Sequence, residues 1–133
     1  MQLCWVHWMT KVNKYDVNDD VLFSNIVVPT TETVRQKFLL DMHVKYKKGV
    51  LYVGAAGTGK TTIIKDYFST LDKDFVSTAS INFNSYTDSK ALQVVLESNV
   101  DRRASRNYGP PPGKILIYFM DDLNMPSVDK YGT

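Results

Sequence analysis

The residues best suited to chemistry lie between Gly54 and Thr62, read GAAGTGKTT. Gly54, Gly57, Gly59, Lys60 and Thr61 fit G-x-x-x-x-G-K-[ST], the pattern of a phosphate-binding P-loop. The spacing has a physical reason. Glycines let the backbone curl so that successive N–H groups face one point. A helix starting at the end of the loop aims its N-terminal donors and dipole at the same point. Lys60 adds a positive charge for β- and γ-phosphates, and Thr61 offers a hydroxyl to Mg²⁺. The ligand such a loop takes is a nucleotide, ATP or ADP, with Mg²⁺.

A second chemical pattern comes roughly 60 residues later. Ile115 to Met120 (ILIYFM) is a continuous apolar run, the pattern of a parallel strand buried on both faces. It ends in Asp121-Asp122. A carboxylate at the tip of a buried strand is the Walker B arrangement, in which Asp121 orients Mg²⁺ through water. Asp122 stands where a general base or water-positioning group is wanted. An apolar run before two acids is a weak signal alone, and it gains weight from the P-loop upstream.

The elements that must hold these residues can be read from pattern. Val50 to Val53 is expected to be a strand leading into the loop. After the loop, Ile63, Ile64, Tyr67, Phe68 and Leu71 form one face of a helix. Phe75 to Phe83 (FVSTASINF) reads as a strand with a mixed face, and Ala91, Leu92, Val95, Leu96 and Asn99 carry a helix to about Val100. Asp101-Arg102-Arg103 and Arg106 make a charged exit. Tyr108-Gly109-Pro110-Pro111-Pro112-Gly113 excludes helix and central strand and reads as a rigid, packed connector.

Upstream, Ile26-Val27-Val28 ends at Pro29, and Thr30-Thr31-Glu32-Thr33 reads as a capped helix start. That helix is expected to run to about Lys48, with Val34, Phe38 and Met42 buried and Gly49 as its stop. Asp41 and His43 fall on it and receive no role. Residues 1–28 form a linker segment with Trp5 and Trp8 as packing anchors, an Asn18-Asp19-Asp20 turn and an apolar Val21-Leu22-Phe23 run.

Composition narrows the class. The 133 residues suit one domain, and 44% hydrophobic with 12% aromatic content supplies a core. A net charge of +2 does not suggest nucleic acid or membrane as the main partner. Cys4 is the single cysteine, so no internal disulfide forms and a reducing compartment fits. No signal-peptide pattern or window of roughly 18 apolar residues occurs.

Longer stretches now match something specific. GAAGTGKTT, INFNSYTD, DRRASRNYGPPPGK and above all FMDDLNMPSVDKYG together resemble the dynein heavy chain, the axonemal more than the cytoplasmic kind. The likeness is greatest to its third AAA+ module and runs from about Trp5 to the end; VVPTTETVRQKFLLDMHVKYKKGVLYVG resembles the start of that module. The resemblance implies an α/β P-loop NTPase of AAA+ type, a three-layer sandwich with a parallel sheet. Residues 29–133 would be part of the large subdomain. It implies phosphate contacts from Gly54, Gly57, Thr58, Gly59, Lys60, Thr61 and Thr62, adenine contacts from Val28 and Pro29, and Mg²⁺ at Thr61 and Asp121. Asp122 matches the catalytic position, and Asn82 or Asn84 matches a polar neighbour of that acid. It further implies ATPase activity in the complete motor, with partners in the remaining AAA+ modules, intermediate and light chains and microtubules. The location implied is cytoplasm, cytoskeleton and the axoneme of a cilium or flagellum.

Two departures from the family pattern carry expectations. Asp122 stands where the family usually has glutamate and is one methylene shorter; a misplacement of about 1 Å costs about 10²-fold in rate. Tight binding with slow, regulatory hydrolysis is therefore expected. The family's strand order is 5-1-4-3-2, and the sensor-1 strand, fifth strand and helical lid have no counterpart in this sequence. The segments near 50–53, 75–83 and 115–120 are then not three neighbours, and a truncated module with little activity alone is expected. Two rivals remain: a nucleotide-holding module without turnover, and an unrelated P-loop protein. A GTPase would want N-K-x-D after the P-loop, yet Asn13-Lys14-Tyr15-Asp16 lies before it. A small kinase would want an arginine-bearing lid after Asp121.

Overall fold

A computed structural model describes residues 4–16 and 26–128. The expected turn at Asn18–Asp20, the run Val21–Phe23 and the motif residues Tyr131 and Gly132 lie outside the described residues. The chain forms two compact units, Met1–Thr70 and Leu71–Thr133.

The first unit holds a 3₁₀ turn (Trp8–Lys11), α1 (Thr31–Lys45) and α2 (Lys60–Thr70). His7 caps the turn, its Nδ1 accepting from the Met9 amide at 3.2 Å. Trp8 meets Phe38 edge to face, with centroids 5.3 Å apart. Trp5 is fully exposed and anchors nothing among the described residues, because the helical turn that would align the two tryptophans begins only at Trp8. Thr30 and Thr33 form a reciprocal capping box: the Thr33 amide donates to Thr30 Oγ1, and the Thr30 amide to Thr33 Oγ1.

Helix α1 ends three residues earlier than the sequence reading placed it. Lys47 takes the left-handed conformation at φ 53°, its amide donates to Val44 O, and the Lys48 amide donates to His43 O. This is the Schellman pattern, with a lysine where glycine is usual, so Gly49 is not the stop. The inward face also differs. Leu40 is buried, whereas Phe38 and Met42 are exposed. Lys37 pairs with Asp66, and Tyr67 donates to Asp41 Oδ1 at 3.2 Å. Positions 37, 40 and 41 share a face, so the stripe toward α2 is apolar at Leu40 and polar beside it. An apolar periodicity does not reveal such a stripe. Ile63, Ile64 and Tyr67 of α2 are buried, as the periodicity required, with Phe68 and Leu71 half-buried.

Val50 to Val53 does not form a strand. Leu51 is 76% exposed and Val53 85%. A strand is held by ladder hydrogen bonds to a neighbour, and propensity alone does not supply them. Among the described residues no strand pairs with this segment.

The second unit carries β1 (Val76–Asn82), α3 (Ser89–Ser98), β2 (Asp101–Arg102), β3 (Tyr108–Gly109) and β4 (Ile115–Asp121). Strands β1 and β4 pair in parallel from Val76↔Ile115 to Asn82↔Asp121. Ala79, Ile81 and Phe83 alternate inward and are buried. Tyr118, the register partner of Ala79, donates to Leu96 O at 2.8 Å, which sets α3 against that face. Asp88 caps α3, accepting from the Ala91 amide at 2.7 Å. The expectation that β4 is buried on both faces fails: Phe119 is buried, while Ile115 and Met120 are exposed. Among the described residues the ladder has two strands, so β4 stands at its edge rather than at its centre. Tyr108 and Gly109 pair with Arg102 and Asp101 as a short antiparallel ladder, and Tyr108 is exposed instead of packed.

Burial, the charge of Asp41 and the hydrogen bond to it push the Tyr67 phenol up from 10 to about 12. The unfolded chain loses this proton near pH 10 and the folded chain near pH 12, so between them the folded state holds more protons. Stability is therefore full below pH 10 and falls as pH rises from 10 to 12. Urea unfolding across that window should show the fall, and Tyr67→Phe should make it shallower; an unchanged slope would refute the assignment.

Candidate functional site

The first unit holds the P-loop. Gly57 and Gly59 adopt φ of 77° and 79°, a left-handed backbone that residues with a Cβ reach only at a cost. The second of these turns the chain into α2, whose first intrahelical bond runs from the Ile63 amide to Gly59 O at 3.0 Å. Lys60 opens the helix and its side chain folds back over the loop. Its ammonium donates to Gly54 O at 3.0 Å, Ala55 O at 2.7 Å and Thr58 Oγ1 at 3.2 Å. The Thr58 hydroxyl donates in turn to Ala55 O at 3.0 Å. One positive charge thus gathers both ends of the loop. The loop leads into the start of α2, where the first N–H groups have no partner within the helix.

Thr61 is half-buried and Thr62 exposed in the first turn of α2. Val28 is exposed and Pro29 half-buried, both in extended chain just before the Thr30 cap. Asp41, given no role from sequence, holds Tyr67 of the P-loop helix and is a positioning residue for it. Its only sequence signal is its place four residues after Lys37, which pairs with the same helix.

The second unit carries the acids. Asp121 ends β4, half-buried, and its Oδ1 accepts from the Asp122 amide at 3.1 Å. In the parallel register Asn82 is its cross-strand partner, on the same face as Ser80 and Thr78. The Phe83 amide closes the ladder by donating to Asp121 O at 3.1 Å. Of the two asparagines considered, Asn82 therefore neighbours the acid. Asn84 is engaged in a local turn, its Oδ1 accepting from the Tyr86 amide at 2.9 Å and from Thr87 Oγ1 at 3.2 Å. Asp122 leaves the strand at φ 55°, a conformation aspartate tolerates better than most residues. The Met125 amide donates to Asp122 O at 2.9 Å and closes the turn behind it.

The donor sets fit their expected ligands. The loop presents lysine, hydroxyls and amides, which suit phosphate. Among the described residues no three His, Cys, Asp or Glu side chains converge to hold a metal. A hard cation such as Mg²⁺ commonly takes one or two protein oxygens and completes its shell with phosphate and water. Thr61 in the first unit and Asp121 in the second each carry an oxygen of that kind.

Comparison with known proteins follows the same lines. Residues 15–133 match a family described as "P-loop containing dynein motor region". Dynein axonemal heavy chain 17 of Homo sapiens is 43% identical over 126 residues, 95% of this chain and 3% of that protein. The ciliary dynein beta chain of Heliocidaris crassispina is 42% identical over 126 residues, 95% of this chain and 3% of that protein. The flagellar outer-arm dynein alpha chain of Chlamydomonas reinhardtii is 44% identical over 127 residues, again 95% and 3%. The chain thus spans about 3% of the length of these relatives.

The loop's backbone makes a direct test possible. An added Cβ meets nothing within 4 Å at Gly59, so Gly59→Ala carries only the conformational penalty of its positive φ, about 1–2 kcal/mol. At Gly54 an added Cβ finds ordinary contacts, Thr58 Oγ1 at 3.7 Å and Lys60 Cδ at 4.0 Å. Gly54→Ala should stay within about 0.5 kcal/mol of the parent in urea unfolding. Equal losses in the two variants would contradict this loop geometry.

Proposed function

We propose a function from this premise: the chain belongs to the family of P-loop-containing dynein motor regions. It binds ATP or ADP through Gly54, Gly57, Thr58, Gly59, Lys60, Thr61 and Thr62, and contributes nucleotide binding to microtubule-based movement. The observation that carries this reading is the P-loop itself, with Lys60 Nζ folded onto the loop carbonyls beside two left-handed glycines. Thr61 would offer its hydroxyl to Mg²⁺, which supplies charge neutralisation at the phosphates when bound, and Asp121 is the carboxylate that the family pattern assigns to the same ion. Val28 and Pro29 would lie against the adenine. The run FMDDLNMPSVDKYG supports the third AAA+ module of a heavy chain as its position. The relatives' names, axonemal, ciliary and flagellar, support the axoneme as its location. The remaining AAA+ modules, intermediate and light chains and microtubules would be its partners there.

Lys60 is the discriminating residue for binding. Nucleotide retained by the purified protein, identified by mass, should be ATP or ADP and should disappear in Lys60→Ala. Full occupancy in that variant would refute the P-loop assignment, and GTP in its place would favour a different P-loop class.

Hydrolysis at this site is slow in our reading, because Asp122 is short for positioning water and is held at φ 55°. The site then regulates by occupancy. The second reading, a module that holds nucleotide without any turnover, rests on the same shortened side chain. In the complete motor, Asp122→Glu should raise ATPase attributable to this site. No rise, or a fall, would count against Asp122 as the limit.

A further inference from the structure

Three of the chain's four arginines, Arg102, Arg103 and Arg106, fall within five residues, and they surround one serine, Ser105. The P-loop and Walker B chemistry leave this cluster unused. It sits on the turn joining β2 to β3, and every residue from Asp101 to Tyr108 is exposed. The turn is closed by the Asn107 amide donating to Ala104 O at 3.3 Å and the Arg103 amide donating to Asn107 O at 2.8 Å. Ser105 occupies its first central position at φ 61°.

That backbone conformation favours glycine, asparagine or aspartate, and serine gains nothing from it. The Ser105 hydroxyl is exposed and makes no hydrogen bond among the described residues, whereas its carbonyl accepts from Arg102 Nε at 3.3 Å. Arg103 reaches the other way, over Gly109, and donates from Nη2 to Pro110 O at 2.9 Å. Arg106 is exposed beside it. The segment therefore offers a free hydroxyl preceded by two guanidiniums, at three and two residues upstream.

We propose that Ser105 is a phosphorylation site for an arginine-directed serine kinase, one whose acidic substrate cleft reads the guanidiniums of Arg102 and Arg103. Charge patterns of this kind set kinase–substrate choice. The ladder that must open for the segment to extend into such a cleft has two residue pairs, all but Gly109 exposed, and lies at the low-stability end of local opening. In the transfer, Ser105 Oγ attacks the γ-phosphorus of ATP. The Oγ–P bond forms as the bond to the ADP oxygen breaks, ADP departs with that electron pair, and the hydroxyl proton passes to a carboxylate of the kinase. The product carries about −1.5 to −2 charge on a segment with three arginines, and those that turn to it hold it by charge-assisted hydrogen bonds. Arg102 and Arg103 then have a stronger acceptor than the Ser105 and Pro110 carbonyls they now use.

The test incubates the purified 133-residue chain with ATP and the catalytic subunit of a cAMP-dependent, arginine-directed kinase. Tandem mass spectrometry should place one phosphoryl group on Ser105, and Ser105→Ala should lose it. The double variant Arg102→Ala, Arg103→Ala should slow modification of Ser105 by roughly tenfold or more, since both charged contacts are gone. Circular dichroism of each variant should match the parent, which separates recognition from folding. Phosphate elsewhere with Ser105 unmodified, or an unchanged rate in the folded arginine variant, would overturn the proposal.

Discussion

A β-strand exists only while its amides and carbonyls have partners, and much of this structure follows from which segments find one. Val76–Asn82 and Ile115–Asp121 find each other and build a parallel ladder of seven residue pairs. Val50–Val53 has the same kind of residues and finds no partner strand among the described residues, so it forms no ladder and leaves Val50, Leu51 and Val53 exposed. β-propensity measures fit to a pleated, packed surface, and without that surface it decides little. The ladder also fixes the chemistry at its end. Its register places Asn82 beside Asp121, and a slip of one residue would send Asp121 to the opposite face.

The P-loop is organised by a different economy, that of a single cation. Lys60 reaches back across its own loop to two carbonyls and a hydroxyl, and Thr58 links that hydroxyl to one of the same carbonyls. A loop closed by its own lysine has acceptor groups occupied that would otherwise face a phosphate with the wrong sign. An incoming anion offers the ammonium a stronger, charged acceptor. The two left-handed glycines keep the backbone curled in either circumstance.

Sequence made the loop and its helix legible because both depend on neighbours a few residues apart. The glycine spacing, the lysine and the face of Ile63, Ile64 and Tyr67 are local facts. So was the tip of β4, since an apolar run before two acids survives any arrangement of the sheet. What pattern could not supply was set by distant partners. The face of α1 was misjudged because Lys37 and Asp41 point at α2 and disguise the stripe around Leu40. The end of α1 was misplaced because Lys47 accepts a backbone conformation that a reader assigns to the next glycine. Burial on both faces of β4 fails because no further strand among the described residues lies beside it.

The two links between α1 and α2 have a mechanical meaning. Lys37 and Asp41 lie one turn apart on α1 and seize consecutive residues, Asp66 and Tyr67, on α2. A single tether lets one helix swivel about the other. Two tethers define a line, and swivelling across that line breaks one of them. The helix that begins at the phosphate loop is therefore keyed to α1 like a shaft to a wheel. Any tilt imposed at Lys60 turns both together, carrying Thr30 and the chain that enters α1 with them.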